Sequence, residues 1–331
     1  MNGGKAVLVT GGAGYIGSHA CKDLSQAGYF PITYDNLSQG HEWAVKWGPL
    51  VKGELSDKAR LQAAIVEHQP IAVLHFAALS IVGDSVADPA RYYRNNVLGT
   101  MGLLDVMREH SLSKIVFSST AAVYGDPLET PIKENHSTAP TNPYGATKLA
   151  VERMLTDYCG AYGTSSIALR YFNAAGADPD GETGEAHNPE THLIPLILEA
   201  AAGKRADISV FGHDYPTPDG TCVRDYIHVT DLAAAHVRAL EHLEQTNENI
   251  ARTYNLGNGG GFSVQDVIEV ARRVTGHEIA TTKAAPRAGD PPILVADATR
   301  ARADLNWRPQ YPDLDAQISH AWAWHMRGDV K

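Results

Sequence analysis

Tyr144 and Lys148 stand four residues apart in the run Asn-Pro-Tyr-Gly-Ala-Thr-Lys. On a helix that spacing puts both side chains on one face. A free tyrosine has a pKa near ~10, so at neutral pH it is almost never a base. A cation held beside it favours the phenolate. Lowering that pKa by roughly 3 units takes about 4 kcal/mol of preferential interaction with the anion. The product would be a base able to take a proton from an alcohol. Taken alone, the spacing also describes many ordinary amphipathic helices. The segments upstream give it a context.

Residues 6–9 are an apolar run that reads as a buried strand. Gly11, Gly14 and Gly17 follow at intervals of three, and residues 15–27 read as a helix stopped by Gly28. Strand, glycine turn and helix are what a phosphate-binding turn needs. The glycines allow a tight bend and close backbone approach, and the helix N-terminus faces a pyrophosphate. The alternative is a purely structural turn. Asp35 lies eighteen residues beyond Gly17, after a strand-like stretch at 30–34. An acid in that register accepts hydrogen bonds from ribose hydroxyls and repels a 2′-phosphate. No arginine adjoins it in Asp35-Asn36-Leu37-Ser38, so the reading is NAD rather than NADP.

These groups need a scaffold. Strand-like runs recur at 6–9, 30–34, 50–51, 71–76, 114–118 and 166–171, with helical patterns at 57–68, 91–110 and 144–162. The alternation predicts an α/β fold, a doubly wound parallel sheet with helices on both faces. Ligands then bind outside the carboxyl ends of the strands. Three such ends carry suggestive residues: Phe76-Ala77-Ala78, Ser118-Ser119-Thr120 and Tyr171-Phe172-Asn173. Beyond about residue 175 the texture changes. Residues 177–190 and 211–225 read as polar, Gly/Pro-rich loops, 192–202 and 263–274 as helices. A helix at 231–243 and a strand at 254–256 rejoin the first domain. The expected division is residues 1–175, rejoined by about 225–258, and a second, mixed α/β substrate domain over 176–331.

The chain has 331 residues with 28 basic and 38 acidic side chains, a net charge of −10. That balance argues against nucleic-acid binding and leaves an anionic substrate to a few local arginines. Cys21, Cys159 and Cys222 show neither metal spacing nor a disulfide framework, and no metal site is assigned. They suit a reducing compartment. No apolar run approaches membrane-spanning length, and the N-terminus has no signal core. The expected location is the cytoplasm.

With these residues assembled, the chain resembles the UDP-glucose 4-epimerases of the extended short-chain dehydrogenase/reductase superfamily. The likeness spans nearly the whole chain. Its markers are Thr-Gly-Gly-Ala-Gly-Tyr-Ile-Gly-Ser-His at 10–19, Tyr-Asp-Asn-Leu-Ser at 34–38 and Phe-Ser-Ser-Thr at 117–120. Further ones are Asn-Pro-Tyr-Gly-Ala-Thr-Lys at 142–148, Arg-Tyr-Phe-Asn-Ala-Ala-Gly at 170–176 and Val-Arg-Asp-Tyr-Ile-His-Val at 223–229. The run from Phe211 to His228 is the most specific of them.

The resemblance implies a Rossmann-type NAD-binding domain and a bound NAD that serves as both oxidant and reductant. Tyr144 would take the proton of the sugar 4-hydroxyl, the 4-keto sugar would turn, and the returned hydrogen would give the inverted alcohol. Thr120 would hydrogen-bond the sugar oxygen. Lys148 would hold the nicotinamide ribose and depress the Tyr144 pKa. The implied cofactor positions are Gly11, Gly14, Tyr15, Ile16, Gly17, Asp35, Asn36, Ser38, Glu54, Leu55, Phe76, Ala77, Ala78, Asn95, Ser118, Tyr144, Lys148 and Tyr171. The implied UDP-sugar positions are Thr120, Tyr144, Asn173, Leu193, Phe211, Arg224, Arg287, Asp290 and Leu294. Leu294 is the fourth residue after Asp290, where the family sets the room around the sugar. Helices over 91–110 and 144–162 resemble the pair that forms a four-helix homodimer interface.

Three positions depart from the commoner pattern. Glu54 replaces an aspartate, Ser80 stands where some members have a lysine reaching the cofactor, and Ala122 where a threonine is common. Ala121 and Ala122 follow Thr120 where a 4,6-dehydratase has an Asp-Glu pair, so elimination machinery is missing. A net reductase usually takes NADPH, which Asp35 disfavours. The readings left beside a glucose/galactose epimerase are an epimerase of UDP-N-acetylhexosamines or UDP-xylose/arabinose, and a non-catalytic NAD-binding sensor.

Overall fold

Short apolar runs joined by helix-length segments cannot pair as hairpins. Each crossover is long enough to bring the next strand back parallel. The computed structural model describes residues 4–286 and 291–327 and has this arrangement. Strands β1 (Ala6–Thr10), β2 (Phe30–Asp35), β3 (Leu50–Lys52), β4 (Ala72–His75), β5 (Lys114–Thr120) and β6 (Ser165–Tyr171) are laid down first. The chain then makes β7 (Asn173–Ala175), β8 (Ile208–Phe211), β9 (Val223–Arg224) and β10 (Tyr226–His228). It returns as β11 (Ala251–Leu256), parallel to β6. The seven-stranded parallel sheet has the order β3-β2-β1-β4-β5-β6-β11. Chain direction across the sheet reverses between β1 and β4, which opens a crevice there.

Helices α1 (Tyr15–Gln26), α2 (Lys58–His68), α3 (Val82–Ala87), α4 (Pro89–Tyr92), α5 (Gly99–Glu109) and α6 (Pro143–Tyr162) are the early crossovers. Later come α7 (Leu193–Ala201), α8 (Val229–Gln245), α9 (Val264–Thr275), α10 (Thr299–Asp304) and α11 (Leu314–His325). Successive strand residues face opposite sides. Val7, Val9, Leu74, Val116 and Leu169 meet Leu24 of α1 and Leu232 and Leu240 of α8. Leu8, Ile32, Val73, Ile115 and Phe117 meet Leu61, Leu103, Met107, Val151 and Leu155. Both faces are therefore covered, as a doubly wound sheet requires.

A second body packs α7, α9 and α11 through Ile194, Ile197, Val267, Ile268, Leu314 and Ile318. It carries three small sheets that include β12 (Phe262–Ser263), β13 (Thr281–Ala284) and β14 (Ile293–Leu294). Strands of two to four residues hold too little alternation to be read from sequence, so the stretch 211–225 hides β9. Asp225 is fully buried and organises this region. Its carboxylate accepts the backbone N–H of Asn258 (2.8 Å), Gly259 (3.0 Å) and Ala296 (3.1 Å).

The single helix expected over 91–110 is interrupted. Between α4 and α5 lies a π-helical turn, Tyr93–Leu98. The extra residue seats Asn96, whose side chain bonds the backbone N–H and C=O of Leu79 and the Thr147 hydroxyl. Such turns recur at functional sites. Among the described residues no helix is long and apolar enough to cross a membrane.

Candidate active site

Parallel strands deliver all their carboxyl ends to one edge. At the end of β1 the chain turns through Gly11, whose φ is +75°. A Cβ on Gly11 would stand 2.6 Å from the Ala77 nitrogen, and one on Gly17 2.1 Å from the Gly11 oxygen. The fold itself requires both glycines. Gly14 is different, because a Cβ there would meet only the Gly11 oxygen, at 3.4 Å. Gly14 caps α1 with no side-chain hydrogen bond and no acid in the first turn. A bare helix N-terminus with open approach favours an anion. The turn thus fits a dinucleotide diphosphate.

Asp35 ends β2 and is nearly buried. Its carboxylate accepts the backbone N–H of Ala13 (3.0 Å) and Leu37 (2.8 Å). Burial raises its pKa and the two amides oppose that rise. Asp35 therefore ties the glycine turn to β2 and keeps lone pairs for a ribose. Asn36 donates to the Glu54 carboxylate (3.0 Å) and accepts from the Ser38 amide (2.9 Å). Leu55 packs under Gly99 of α5, and Ile16 joins the α1 core. The Tyr15 hydroxyl donates to the Gly176 carbonyl at 2.6 Å, which pins α1 to the start of the second body. After β4, Phe76 lies 4.6 Å from the His236 ring, Ala77 donates to the Thr10 carbonyl, and Ala78 follows. Asn95, in the π turn, donates to Asn96 (2.9 Å).

Helix α6 starts at Pro143, behind the Asn142 side chain that accepts the Gly145 amide, and ends at Gly163 with φ +73°. Tyr144, Lys148 and Glu152 then share one face. Gly145 is needed for close approach, because a Cβ would lie 2.5 Å from the Ala122 oxygen. This seats α6 on the turn after β5. The Thr120 hydroxyl accepts the Ala122 amide (3.1 Å) and lies beside the Tyr144 phenol, whose pKa it lowers. Lys148 Nζ donates to the Ser118 carbonyl at 2.7 Å, 4.8 Å from the Phe117 ring centroid. Thr120 and Tyr171 are register partners, and the Tyr171 hydroxyl bonds Ser118 Oγ.

The electrostatics depart from expectation at one point. Burial raises the Tyr144 pKa to about 12, and only the neighbouring Thr120 hydroxyl opposes it. Burial lowers Lys148 to about 7, opposed by Glu152. Lys148 does not depress the phenol as the helix spacing alone suggests. Its nitrogen is 5.9 Å from the Tyr144 ring centroid, and desolvation removes much of its charge near neutral pH.

A buried network behind these residues is not apparent from the motifs. Glu152 takes the Arg170 guanidinium at 2.5 and 2.8 Å and the Ser119 hydroxyl at 2.5 Å. Arg170 also donates to the Tyr124 hydroxyl (2.9 Å), which donates to Asn255 (2.7 Å). One signal existed: Glu152 continues the interval of four from Tyr144 through Lys148.

The remaining candidates come from the second body. Asn173 opens β7, its amide bonded to the Asp225 carbonyl at 3.0 Å. Leu193 begins α7 and packs on the second core, and Phe211 ends β8 with 36% of its surface exposed. Arg224 donates to the Val223 carbonyl (2.8 Å) and is the register partner of Leu294. Leu294 packs against the cluster of Ala121, Val123, Tyr124, Ile132 and Leu149, which underlies the turn after Thr120. Arg287 and Asp290 lie outside the described residues.

Residues 7–257 match the model of the NAD dependent epimerase/dehydratase family. The chain is 52% identical to a UDP-glucose 4-epimerase of Halalkalibacterium halodurans, over 97% of this chain and 95% of that one. The crystal structure of UDP-glucose 4-epimerase from Brucella ovis in complex with NAD superposes with a TM-score of 0.94. It is 52% identical, covering 96% of this chain and 98% of that one. A UDP-glucose-4-epimerase from Stenotrophomonas maltophila, with bound NAD and formylated UDP-arabinopyranose, gives a TM-score of 0.94 at 40% identity over 98% of both chains. A glycine turn open to a diphosphate, a Tyr/Lys helix beside it and full-length likeness to these proteins agree: the chain belongs to the NAD dependent epimerase/dehydratase family, among its UDP-glucose 4-epimerases.

Proposed function

We propose that the chain interconverts UDP-glucose and UDP-galactose through a transient 4-keto sugar. The observation that carries this reading is the meeting of Thr120, at the end of β5, with Tyr144 on α6, with Lys148 one helical turn along on Ser118 and the open cradle at Gly14. NAD, when bound, takes and returns the C4 hydrogen, and its cationic oxidised ring favours an anion nearby. Gly14, Tyr15, Ile16 and Gly17 present the start of α1 to its diphosphate. Asp35 faces a ribose without a 2′-phosphate. Tyr144 takes the proton of the sugar 4-hydroxyl and gives it back to the same oxygen when the C4 hydrogen is restored on the other face. Thr120 holds that oxygen and the phenol in one line. Lys148, anchored on Ser118, holds the nicotinamide ribose.

The UDP-sugar lies toward the second body, residues 176–331, among Asn173, Leu193, Phe211 and Arg224. The diphosphate carries about two charges and suits a forked guanidinium. Leu294 borders the sugar. Leucine is smaller than tyrosine, so UDP-N-acetylglucosamine turns over too, more slowly. The exposed apolar residues Leu98 (55%) and Met101 (41%), beside α6, favour a homodimer through these helices. Cys21, Cys159 and Cys222, as thiols, suit a cytoplasmic location.

The test is to incubate the purified chain with each UDP-sugar and follow the 4-epimer by NMR. UDP-glucose and UDP-galactose should converge on one ratio from both sides. No conversion of either, with NAD present, would sink the reading.

A further inference from the structure

We propose that Glu185, His187, Glu190 and His192 bind one divalent transition-metal ion of the zinc class, in a site that fixes the loop leading into α7. Their donor atoms all lie within 4.8 Å of one another. Glu185 Oε1 is 2.9 Å from His187 Nδ1 and 2.8 Å from His192 Nδ1. Glu190 Oε1 lies 3.1 Å from His192 Nδ1, and its Oε2 lies 3.7 Å from His187 Nδ1. Four donors around a zinc ion at ~2.1 Å would be about 3.4 Å apart. The separations quoted, 2.8 to 3.7 Å, straddle that value, and with all four donors within 4.8 Å a shift of about an ångström closes a tetrahedron.

The donor chemistry fits. Two imidazoles and two carboxylates suit zinc or a neighbouring transition metal better than calcium or magnesium, which take oxygen alone. An ion would displace the protons that Glu185 and Glu190 hold on His187 and His192, and the two neutral imidazoles and two carboxylates then cancel its charge. The carboxylates are the more enclosed ligands, with side chains 10% and 9% exposed. Glu190 is already oriented, because the backbone N–H of Thr191 (2.7 Å) and His192 (2.8 Å) donate to its Oε1, while Oε2 lies 3.7 Å from His187 Nδ1. Metal-binding carboxylates usually have such support. A second cluster on the same stretch, Asp178, Asp180 and Glu182, is a contrasting case. There Lys22 Nζ fills the centre at 2.7 to 2.9 Å, so the chain supplies its own cation.

The site has a position that matters. The Glu185 carbonyl accepts Trp324 Nε1 (2.9 Å) from α11, and the Ala186 carbonyl bonds His41 Nε2 (2.7 Å). His187 presents its ring to the edge of Tyr15 at 6.3 Å, at the start of α1. Leu193 begins α7 directly after His192. An ion here staples the entry of α7 to the glycine turn and to α11. The sequence alone shows no familiar metal spacing, because Glu-x-His-x-x-Glu-x-His falls in a loop and not on one helix face.

The test uses the full chain without a histidine tag, treated with chelator, then equilibrated with zinc chloride and desalted at constant NAD. Elemental analysis should give one zinc per chain. X-ray absorption should show nitrogen and oxygen near ~2.0–2.1 Å and no sulfur near ~2.3 Å. Zinc should raise the thermal midpoint of the native chain. In His187→Ala/His192→Ala the zinc affinity should fall at least about tenfold and the midpoint should stop responding. If that variant fails to fold, Glu185→Gln, which keeps the shape and removes one anionic ligand, should show the same loss. Failure of the native chain to retain zinc, a sulfur shell, or equal zinc in folded variant and native chain would each overturn the proposal.

Discussion

Replacing Lys148 with methionine should remove turnover and yet make the fold more stable near neutral pH. Burial holds Lys148 near pKa about 7, against 10.5 for the free side chain. Between those values the unfolded chain keeps a proton that the folded chain gives up. Stability of the native protein therefore rises with pH from about 7 to about 10.5 and is flat below about 7. At ~1.36 kcal/mol per pH unit, the cost of housing this lysine is about 4 kcal/mol at pH 7 and about 1 kcal/mol at pH 10. Methionine has similar length and carries no such cost. It also leaves the Ser118 carbonyl without its 2.7 Å donor, a loss of about 1–3 kcal/mol. The variant should be more stable by about 1–3 kcal/mol at pH 7, with the advantage gone by about pH 10. Urea midpoints of both proteins at pH 7, 8.5 and 10, with NAD held constant, read this directly. Parallel pH curves, or a variant that is weaker at pH 7, would show that the ammonium is not paying a burial penalty.

Tyr144→Phe should lower kcat by about 10²- to 10⁴-fold with little change in KM, measured by coupled assay; near-normal turnover would remove Tyr144 from the proton path. Glu152→Gln should cost about 3–5 kcal/mol in denaturant unfolding, because Arg170 loses its carboxylate inside the fold; a loss under about 1 kcal/mol would mean the pair is solvated. Gly14→Ala should fold normally and release its NAD, whereas Gly17→Ala should misfold, as circular dichroism and nucleotide release can tell. Equal behaviour of the two would show that Gly14 does not face a ligand. Leu294→Tyr should suppress the UDP-N-acetylglucosamine reaction selectively in kcat/KM, by roughly the 1–3 kcal/mol a hydrophobic wall can discriminate; equal loss on both sugars would make Leu294 a packing residue only.

What sequence reveals here depends on range and length. The glycine turn, Asp35 and the Tyr144/Lys148 pair are local patterns, and the sheet places them where alternation predicts. The turn of Gly11 and the cap at Asn142 are likewise local. The π turn at Tyr93–Leu98 is invisible because it is made by Asn96 reaching Leu79 and Thr147, contacts that no helical period encodes. The meeting of Arg224 with Leu294 joins residues far apart through two-residue strands, too short to carry a signal. Asp225 sits within the most specific run of the chain, yet it serves three backbone amides of its own fold. Composition could not foresee the weakened charge on Lys148, since burial and not spacing sets it.

The late arrival of β11 has a consequence for how the chain is made. Strand β6 is complete at Tyr171, but the strand that covers its outer side begins only at Ala251, about 80 residues later. At synthesis rates of about 5–20 residues per second, that flank stays open for roughly 4 to 16 s on the ribosome. An unpaired strand edge is a template for other chains. Only the first part of the second body, β8 and α7, falls in this interval, and α8 too emerges while the sheet is unfinished. A nascent chain stalled before Ala251 would expose the Ser165–Tyr171 edge, which includes Ile167 and Leu169, for as long as it stalled. Sequence changes that slow translation between residues 171 and 251 should therefore lower soluble yield, even when they are synonymous and leave the finished protein unaltered.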